Sequence, residues 1–199
     1  MTDMTEYEKM IRGELYFPGD EELYTLRTRA HRLCVEYNQT FDTDEDKRNE
    51  ILGKLITNYD PNEIYFQGPI YFDYGINIHI GKNFYANFNL TILDCCPVKI
   101  GDNVQIGTGV SLLTPVHPIK YQERNAKYVE GFDRPIVLEY AKPITIGDNC
   151  WLAANVTVIG GVTIGNGCVI GAGSVVTRDI PDNSFAAGNP CKIIKAIDN

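Results

Sequence analysis

The chain has 199 residues, of which 44% are hydrophobic, and a formal net charge of −8 at pH 7. This length suits one main core, and an acidic chain without a broad basic face argues against nucleic acid or an anionic membrane as a partner. Because the first ten residues include four charged side chains and no stretch reaches the length of a membrane span, we expect a cytoplasmic protein.

Residues 1–60 predict an N-terminal α-helical cap. Apolar residues recur at intervals of three and four after Asp20, which is a suitable helix N-cap. A second short helix is expected to begin near Asp44 and to present Ile51 and Leu55 to the rest of the protein. We expect these helices to cover the first coil of the β-helix predicted below, since the strand edges of that coil would otherwise be unpaired.

Residues 61–190 carry six-residue repeats that predict a parallel β-helix. A period of six fits neither an α-helix nor a simple alternating strand, but it fits a chain that turns a corner every six residues. Shorter runs of the same pattern occur around Ile80, Ile100 and Ile106. We therefore predict a mainly β fold with the repeated aliphatic residues in a narrow core. The longest series of these residues is Ile146, Leu152, Val158, Ile164, Ile170 and Val176.

The repeat is interrupted by a long loop at about residues 113–143 and ends after Val176. The loop is rich in charged residues, and a long excursion that rejoins a regular scaffold in phase is typical of a functional loop. Residues 191–199 are expected to form a C-terminal tail, which is a second basic segment.

The six cysteines include no CxxC pair. Cys150 and Cys168 occupy inward positions of the repeat, where a small apolar side chain is needed. We expect buried thiols in preference to disulfides or a zinc site.

Among the three histidines, His117 has the best position for chemistry. It lies where the chain leaves the repeat, and Pro115 and Pro118 stiffen the backbone around it, as a general base requires. A simple turn histidine is the alternative. His31 is expected to be solvated or to cap a helix, and His79 to point outward from the β-helix. A zinc site formed by all three is disfavoured, because a residue of the cap helix is badly placed to join the other two.

Several motifs are spread over nearly the whole chain: residues 10–16 (MIRGELY), residues 78–89 (IHIGKNFYANFN), His117-Pro118, Ile164-Gly165, residues 170–177 (IGAGSVVT) and residues 187–190 (AGNP). With these motifs the chain resembles the maltose and galactoside O-acetyltransferases, sugar acetyltransferases of the hexapeptide-repeat superfamily. The resemblance implies a left-handed β-helix, a homotrimer, and active sites between neighbouring subunits. Left-handed winding runs against the usual preference of crossover connections and cannot be read from the repeat period.

The resemblance also implies acetyl transfer from acetyl-CoA to a sugar hydroxyl, with no metal. Because an alcohol is a poor nucleophile at neutral pH, a neutral imidazole takes its proton as it attacks the thioester, and His117 resembles that base. Glu139, within Leu138-Glu139-Tyr140, matches the carboxylate that orients the histidine in related enzymes.

Acceptor-binding residues are implied in the same way. Asp73, Tyr85 and Asn87 match positions that line the acceptor pocket in the family. Cys95 falls where the galactoside branch has an acidic acceptor-binding residue, and Pro18 falls where it has another. Both departures disfavour a galactoside as the acceptor.

The donor is a polyanion, so an acidic chain needs local positive charge to bind it. Arg178, Lys192 and Lys195 supply that charge, although lysine lacks the planar fork of the arginine that relatives often carry at the last two positions. The residues that resemble the groove for the pantetheine arm are Ala154, Ala172 and Thr177, with Trp151 either as a wall of that groove or as a subunit contact.

Two other functions stay open at this point. The same scaffold could acetylate a hydroxyl compound that is not a sugar, or the chain could form a non-catalytic trimeric scaffold that shares only the fold. The loop after His117 is longer than usual by about ten residues, beyond ordinary connection lengths. The acceptor is therefore left open by the sequence.

Overall fold

Three short parallel sheets wind around one narrow core in the computed structural model, which describes residues 4–198. Within that range the helices are α1 (Glu6–Ile11), α2 (Glu21–Asn38), α3 (Glu45–Leu55) and α4 (Tyr121–Arg124). The strands of the first half are β1 (Ile64–Phe66), β2 (Ile70–Phe72), β3 (Ile78–Ile80), β4 (Phe84–Ala86), β5 (Leu90–Leu93), β6 (Val98–Ile100), β7 (Gln105–Ile106), β8 (Ser111–Leu113) and β9 (Pro115–Val116). Those of the second half are β10 (Tyr140–Ala141), β11 (Ile144–Ile146), β12 (Trp151–Leu152), β13 (Thr157–Ile159), β14 (Thr163–Ile164), β15 (Val169–Ile170), β16 (Val175–Val176), β17 (Ser184–Ala187) and β18 (Lys192–Ala196).

Successive turns of the chain add one strand to each sheet. Sheet 1 contains β1, β4, β7, β12, β15, β17 and the antiparallel β18; sheet 2 contains β2, β5, β8, β13 and β16; sheet 3 contains β3, β6, β11 and β14. The result is a β-solenoid of about six turns. The predicted mainly β fold, a parallel β-helix with helices at its N-terminal end, is confirmed.

The aliphatic residues of the repeat form the core, as predicted. All six between Ile146 and Val176 are buried. Cys150 and Cys168 are buried beside them, and burial raises the pKa of the Cys150 thiol to about 11. These thiols therefore act as small apolar side chains at neutral pH.

Side-chain oxygens form a ladder along the corner between sheets 3 and 1. Asp148 Oδ1 accepts a hydrogen bond from the backbone N–H of Asp102 at 2.8 Å, and Asn166 Oδ1 accepts one from Asp148 at 2.8 Å. Asn149, the next residue in its corner, has φ +57°, a left-handed conformation that asparagine tolerates. The polar residues of the repeat thus build the corners, since they satisfy backbone donors where the strands end.

The helical cap packs on the first turns of the solenoid. Helix α2 begins after Asp20, whose carboxylate accepts hydrogen bonds from the second and third backbone N–H groups of the helix, as predicted. Its buried residues Ala30, Cys34 and Tyr37 join the solenoid core. Arg48 of α3 is buried and donates hydrogen bonds to the backbone oxygen of Phe66. The cap therefore covers the start of the core, as the sequence indicated.

The excursion leaves and rejoins the solenoid at one point. Thr114, which follows β8, donates from Oγ1 to Leu93 O at 2.7 Å, and its own carbonyl accepts from Lys142 N at 2.9 Å. Strands β9 and β10 pair antiparallel just outside this point. The excursion thus starts as a two-stranded ribbon at the corner between sheets 2 and 3.

The predicted C-terminal tail contains a strand. Strand β18 pairs antiparallel with β17 and extends sheet 1. The sequence did not indicate this strand, because all five of its residues are exposed and it therefore lacks a buried alternation. Among residues 4–198, none of the helices has both the length and the apolar composition needed to cross a membrane.

Candidate active site

Glu139 lies between His117 and Tyr16 in neighbouring extended segments. The antiparallel pair β9–β10 sets Val116 opposite Tyr140, so the next residues outward, His117 and Glu139, face each other. His117 Nε2 lies 3.5 Å from Glu139 Oε2. On its other side, Glu139 exchanges two backbone hydrogen bonds of 3.1 Å with Tyr16. The predicted pair of His117 and Glu139 is therefore brought together.

Tyr16 is the residue of this site that sequence reasoning missed. Its hydroxyl donates a 2.7 Å hydrogen bond to Glu139 Oε1, and the residue is fully buried. Burial raises the pKa of Tyr16, and the neighbouring Cys95 and Glu139 raise it further, so the phenol stays a donor. Its place in the motif at residues 10–16 was a signal for it, but that motif did not indicate its partner.

The imidazole of His117 is open to solvent while its carboxylate partner is not. The His117 side chain is 52% exposed and the Glu139 side chain 14%. Pro118 is buried, and Arg124 of α4 donates to the carbonyl oxygens of Pro118 at 3.2 Å and Ile119 at 3.0 Å. These contacts fix the backbone on the C-terminal side of His117 and leave the ring accessible to a substrate.

Asp73 and Cys95 lie together next to this pair. The Cys95 thiol donates to Asp73 Oδ2 at 3.6 Å, while Asp73 Oδ1 lies 3.3 Å from His31 Nε2. Cys95 is buried, and burial and the nearby Asp73 carboxylate raise the pKa of its thiol. Cys95 is therefore a hydrogen-bond donor and not a thiolate nucleophile. His31 is half exposed, as expected, but its contact with Asp73 was not foreseen.

Tyr85 and Asn87 lie on a different part of the solenoid. Tyr85 points outward from sheet 1 and stacks on Tyr65, with ring centroids 5.9 Å apart. Asn87 follows at the corner between sheets 1 and 2, where its Oδ1 accepts from Phe88 N. Asp73, in contrast, follows β2 at the corner between sheets 2 and 3. A single chain therefore does not bring all four predicted acceptor residues together.

The residues matched to the donor groove divide in the same way. Ala154 and Ala172 lie on successive turns at the corner between sheets 1 and 2, where Ala154 O accepts from Gly173 N at 2.9 Å. Trp151 is 51% exposed on the outer face of sheet 1. Thr177 follows β16, at the same corner as Asp73.

The basic residues matched to the donor lie at the C-terminal end of the solenoid. Arg178 is exposed after β16, and Lys192 and Lys195 are exposed on β18. Cys191 N donates to Val175 O at 2.8 Å, which holds the start of β18 beside β16. Within residues 4–198 none of these three cations forms an ion pair, so their charge is available to a ligand.

The three histidines lie in different surroundings and contact different residues. His79 is exposed on the outer face of β3, whereas His31 contacts Asp73 and His117 contacts Glu139. Over residues 4–198, no three His, Cys, Asp or Glu side chains are grouped as ligands for a metal ion.

Family models match three parts of the chain. The maltose acetyltransferase hexapeptide capping motif matches residues 9–59, which contain most of the helical cap. Six bacterial transferase hexapeptide repeats match residues 143–178, and a hexapeptide repeat of succinyl-transferase matches residues 92–114. The two repeat matches lie on either side of the excursion.

Relatives and solved structures resemble the chain over nearly its full length. The galactoside O-acetyltransferase of Escherichia coli is 41% identical over 197 residues, covering 99% of this chain and 92% of the relative. The crystal structure of a maltose O-acetyltransferase from Clostridium difficile has a TM-score of 0.89 and 43% identity, covering 98% of this chain and 99% of that one. A galactoside acetyltransferase solved in complex with coenzyme A has a TM-score of 0.84 and 39% identity, covering 98% and 92%.

Proposed function

Because the chain belongs to the maltose and galactoside O-acetyltransferase family of hexapeptide-repeat proteins, we propose that it transfers the acetyl group of acetyl-CoA to a hydroxyl of a sugar. His117 acts as the general base and Glu139 orients it. His117 removes the hydroxyl proton as the oxygen attacks the thioester carbonyl, and it returns the proton to the sulfur as the C–S bond breaks.

The observation that carries this proposal is the position of Glu139 between His117 and Tyr16. Its carboxylate is 3.5 Å from the imidazole and 2.7 Å from the phenol, and it is mostly buried. A carboxylate held in this way fixes which ring nitrogen carries the proton and stabilises the imidazolium. The 3.5 Å separation exceeds an ordinary hydrogen bond, and such contacts shorten when substrate binds.

Acetyl-CoA suits the residues at the C-terminal end of the solenoid. Arg178, Lys192 and Lys195 offer unpaired positive charge to its phosphates. Ala154 and Ala172 present small side chains at a corner, where an extended pantetheine arm can lie close to the backbone. Coenzyme A is also the ligand of the galactoside acetyltransferase whose fold this chain shares.

We further propose that the β-helix winds left-handed and that the protein is located in the cytoplasm. We also propose a homotrimer with its active sites between neighbouring copies. The support is the division of the predicted residues between two corners: Asn87, Ala154 and Ala172 at one, Asp73 and Thr177 at the other. Two corners of one prism cannot face each other, whereas corners of adjacent copies can.

A thiol-release assay with acetyl-CoA and a panel of sugars tests the reaction. We expect release with a hexose or disaccharide and a loss of at least about a hundredfold in His117→Ala, the usual scale for removing a general base. His79→Ala is the matched control, because His79 is exposed on β3 and contacts neither Glu139 nor Asp73.

Undiminished turnover by His117→Ala would rule out this mechanism. Release with hydroxyl compounds other than sugars, and with no sugar, would favour a different acceptor on the same scaffold. Failure to bind acetyl-CoA in a direct binding measurement would favour a non-catalytic trimer.

A further inference from the structure

A groove lined by two arginines lies beside the candidate active site. One wall comes from the segment before α2, with Phe17, Pro18 and Gly19, together with Arg27 of α2. The opposite wall comes from the excursion and consists of residues 134–137. The long loop that the sequence singled out therefore builds half of this groove.

The excursion wall is held in place by packing and backbone hydrogen bonds. Lys127 and Ile136 exchange two backbone hydrogen bonds of 3.0 and 2.9 Å, and Ile136 is buried. The ring of Phe132 packs edge-on against Phe17 of the opposite wall, with centroids 5.0 Å apart. The groove is thus a structured feature of the fold, since both walls contact each other at one end.

The lining residues carry two positive charges and no negative one. Arg27 uses Nη1 for both of its hydrogen bonds, to Pro18 O at 3.1 Å and to Tyr74 OH at 3.2 Å. Arg134 makes no hydrogen bond or ion pair within residues 4–198. Asp73 interacts electrostatically with Arg27, but the two do not approach within ion-pair distance. The two guanidinium groups therefore have N–H donors available to a ligand.

The groove lies beside the Tyr16–Glu139 bridge. Phe17 follows Tyr16, and Val137 lies two residues before Glu139, a separation of about 7 Å in extended chain. The Tyr16–Glu139 bridge therefore forms the boundary between the groove and the imidazole of His117. A sugar whose hydroxyl reaches His117 would have to extend a substituent past this bridge to enter the groove.

We propose that the acceptor is an anionic sugar, bearing a carboxylate or a phosphate that Arg134 and Arg27 bind in this groove. The inference rests on the proposed acetyl transfer and assigns its substrate class. Arginine suits this role because its planar fork matches both groups in two-point hydrogen bonding. Pro18 contributes to the same selection, since this wall carries no acidic side chain that would repel the substituent.

Kinetics at saturating acetyl-CoA with matched neutral and anionic acceptors test the proposal. The pairs are glucose against glucuronate and glucose 6-phosphate, and galactose against galacturonate; the uronates and the phosphate separate the two anions. We expect kcat/KM for at least one anionic member to exceed that of its neutral partner by about tenfold or more, the scale of a hydrogen bond to a charged group.

Arg134→Gln should remove that advantage while changing kcat/KM for the neutral acceptors by less than about threefold. Arg134 is suited to this test because its side chain is exposed and makes no hydrogen bond or ion pair within residues 4–198. Arg32→Gln is the matched control, since Arg32 is an exposed arginine of α2 outside the groove.

Anionic acceptors no better than neutral ones would overturn the proposal and leave acetyl transfer intact. Equal losses for both acceptor classes in Arg134→Gln would also overturn it, because a structural defect would then explain the effect. Absence of turnover with every sugar by the unaltered protein would overturn the proposed function as well.

Discussion

Removing the hydroxyl of Tyr16 perturbs the candidate active site while keeping its packing. Tyr16→Phe retains the buried ring but deletes the donor that lies 2.7 Å from Glu139 Oε1. A hydrogen bond to a charged group contributes about 1.5–3 kcal/mol. If this contribution stabilises the transition state through the orientation of His117, kcat should fall by about tenfold to a hundredfold, since each factor of ten corresponds to about 1.4 kcal/mol.

Steady-state kinetics with the best sugar acceptor measure this effect. A positioning role predicts a fall in kcat with acceptor KM changed by less than about threefold. Tyr7→Phe is the matched control, because Tyr7 OH donates a 2.8 Å hydrogen bond to Asn77 elsewhere under the cap and does not contact Glu139. Equal turnover by Tyr16→Phe and the unaltered protein, or equal losses in the two variants at similar thermal stability, would refute the positioning of Glu139 by Tyr16.

Two further predictions concern assembly and pH. We expect the His117→Ala and Asn87→Ala variants each to be inactive alone. If the two residues of one site come from different copies, mixed trimers of the two variants should recover activity in about a quarter of their sites. No recovery after the variants are refolded together would contradict shared sites. Asp94 is fully buried, and burial raises its pKa to about 6 although the backbone N–H groups of Tyr74 and Asn77 donate to it. Because this folded-state pKa exceeds the unfolded value of about 3.9, the protonated Asp94 carboxyl makes its full contribution to the free energy of unfolding below about pH 4. That contribution, about 3 kcal/mol, is lost as the pH rises towards 6. Carboxyl ¹³C NMR, assigned with Asp94→Asn, should give a midpoint near pH 6, and a midpoint near 4 would contradict the shift.

Much of the fold followed from local spacing. Ile146 and the residues at every sixth position up to Val176 were assigned to the core from the period alone, and all are buried. The start of α2 followed from Asp20, and the excursion from the loss of the period between residues 113 and 143. Each of these features depends on residues close in sequence, which is why pattern reasoning could find them.

The candidate site was predictable only in part. The position of His117 between prolines marked it, and the family resemblance supplied Glu139. Tyr16, however, is 123 residues from Glu139, and His31 is 42 residues from Asp73. Such contacts depend on how the cap docks on the solenoid, and a hydrogen bond between distant side chains leaves no periodic trace in the sequence.

The sequence by itself determined the solenoid, because every turn repeats the same six-residue pattern and buries the same positions of that pattern. Only the tertiary structure decided that the excursion returns as a ribbon, setting Glu139 between His117 and Tyr16, and that its outer part faces Arg27 with Arg134. The physical reason is that a corner of the repeat is specified by six neighbouring residues, whereas the site is assembled from the cap, the excursion and two turns of the solenoid. These segments are far apart in sequence and meet only in the folded structure.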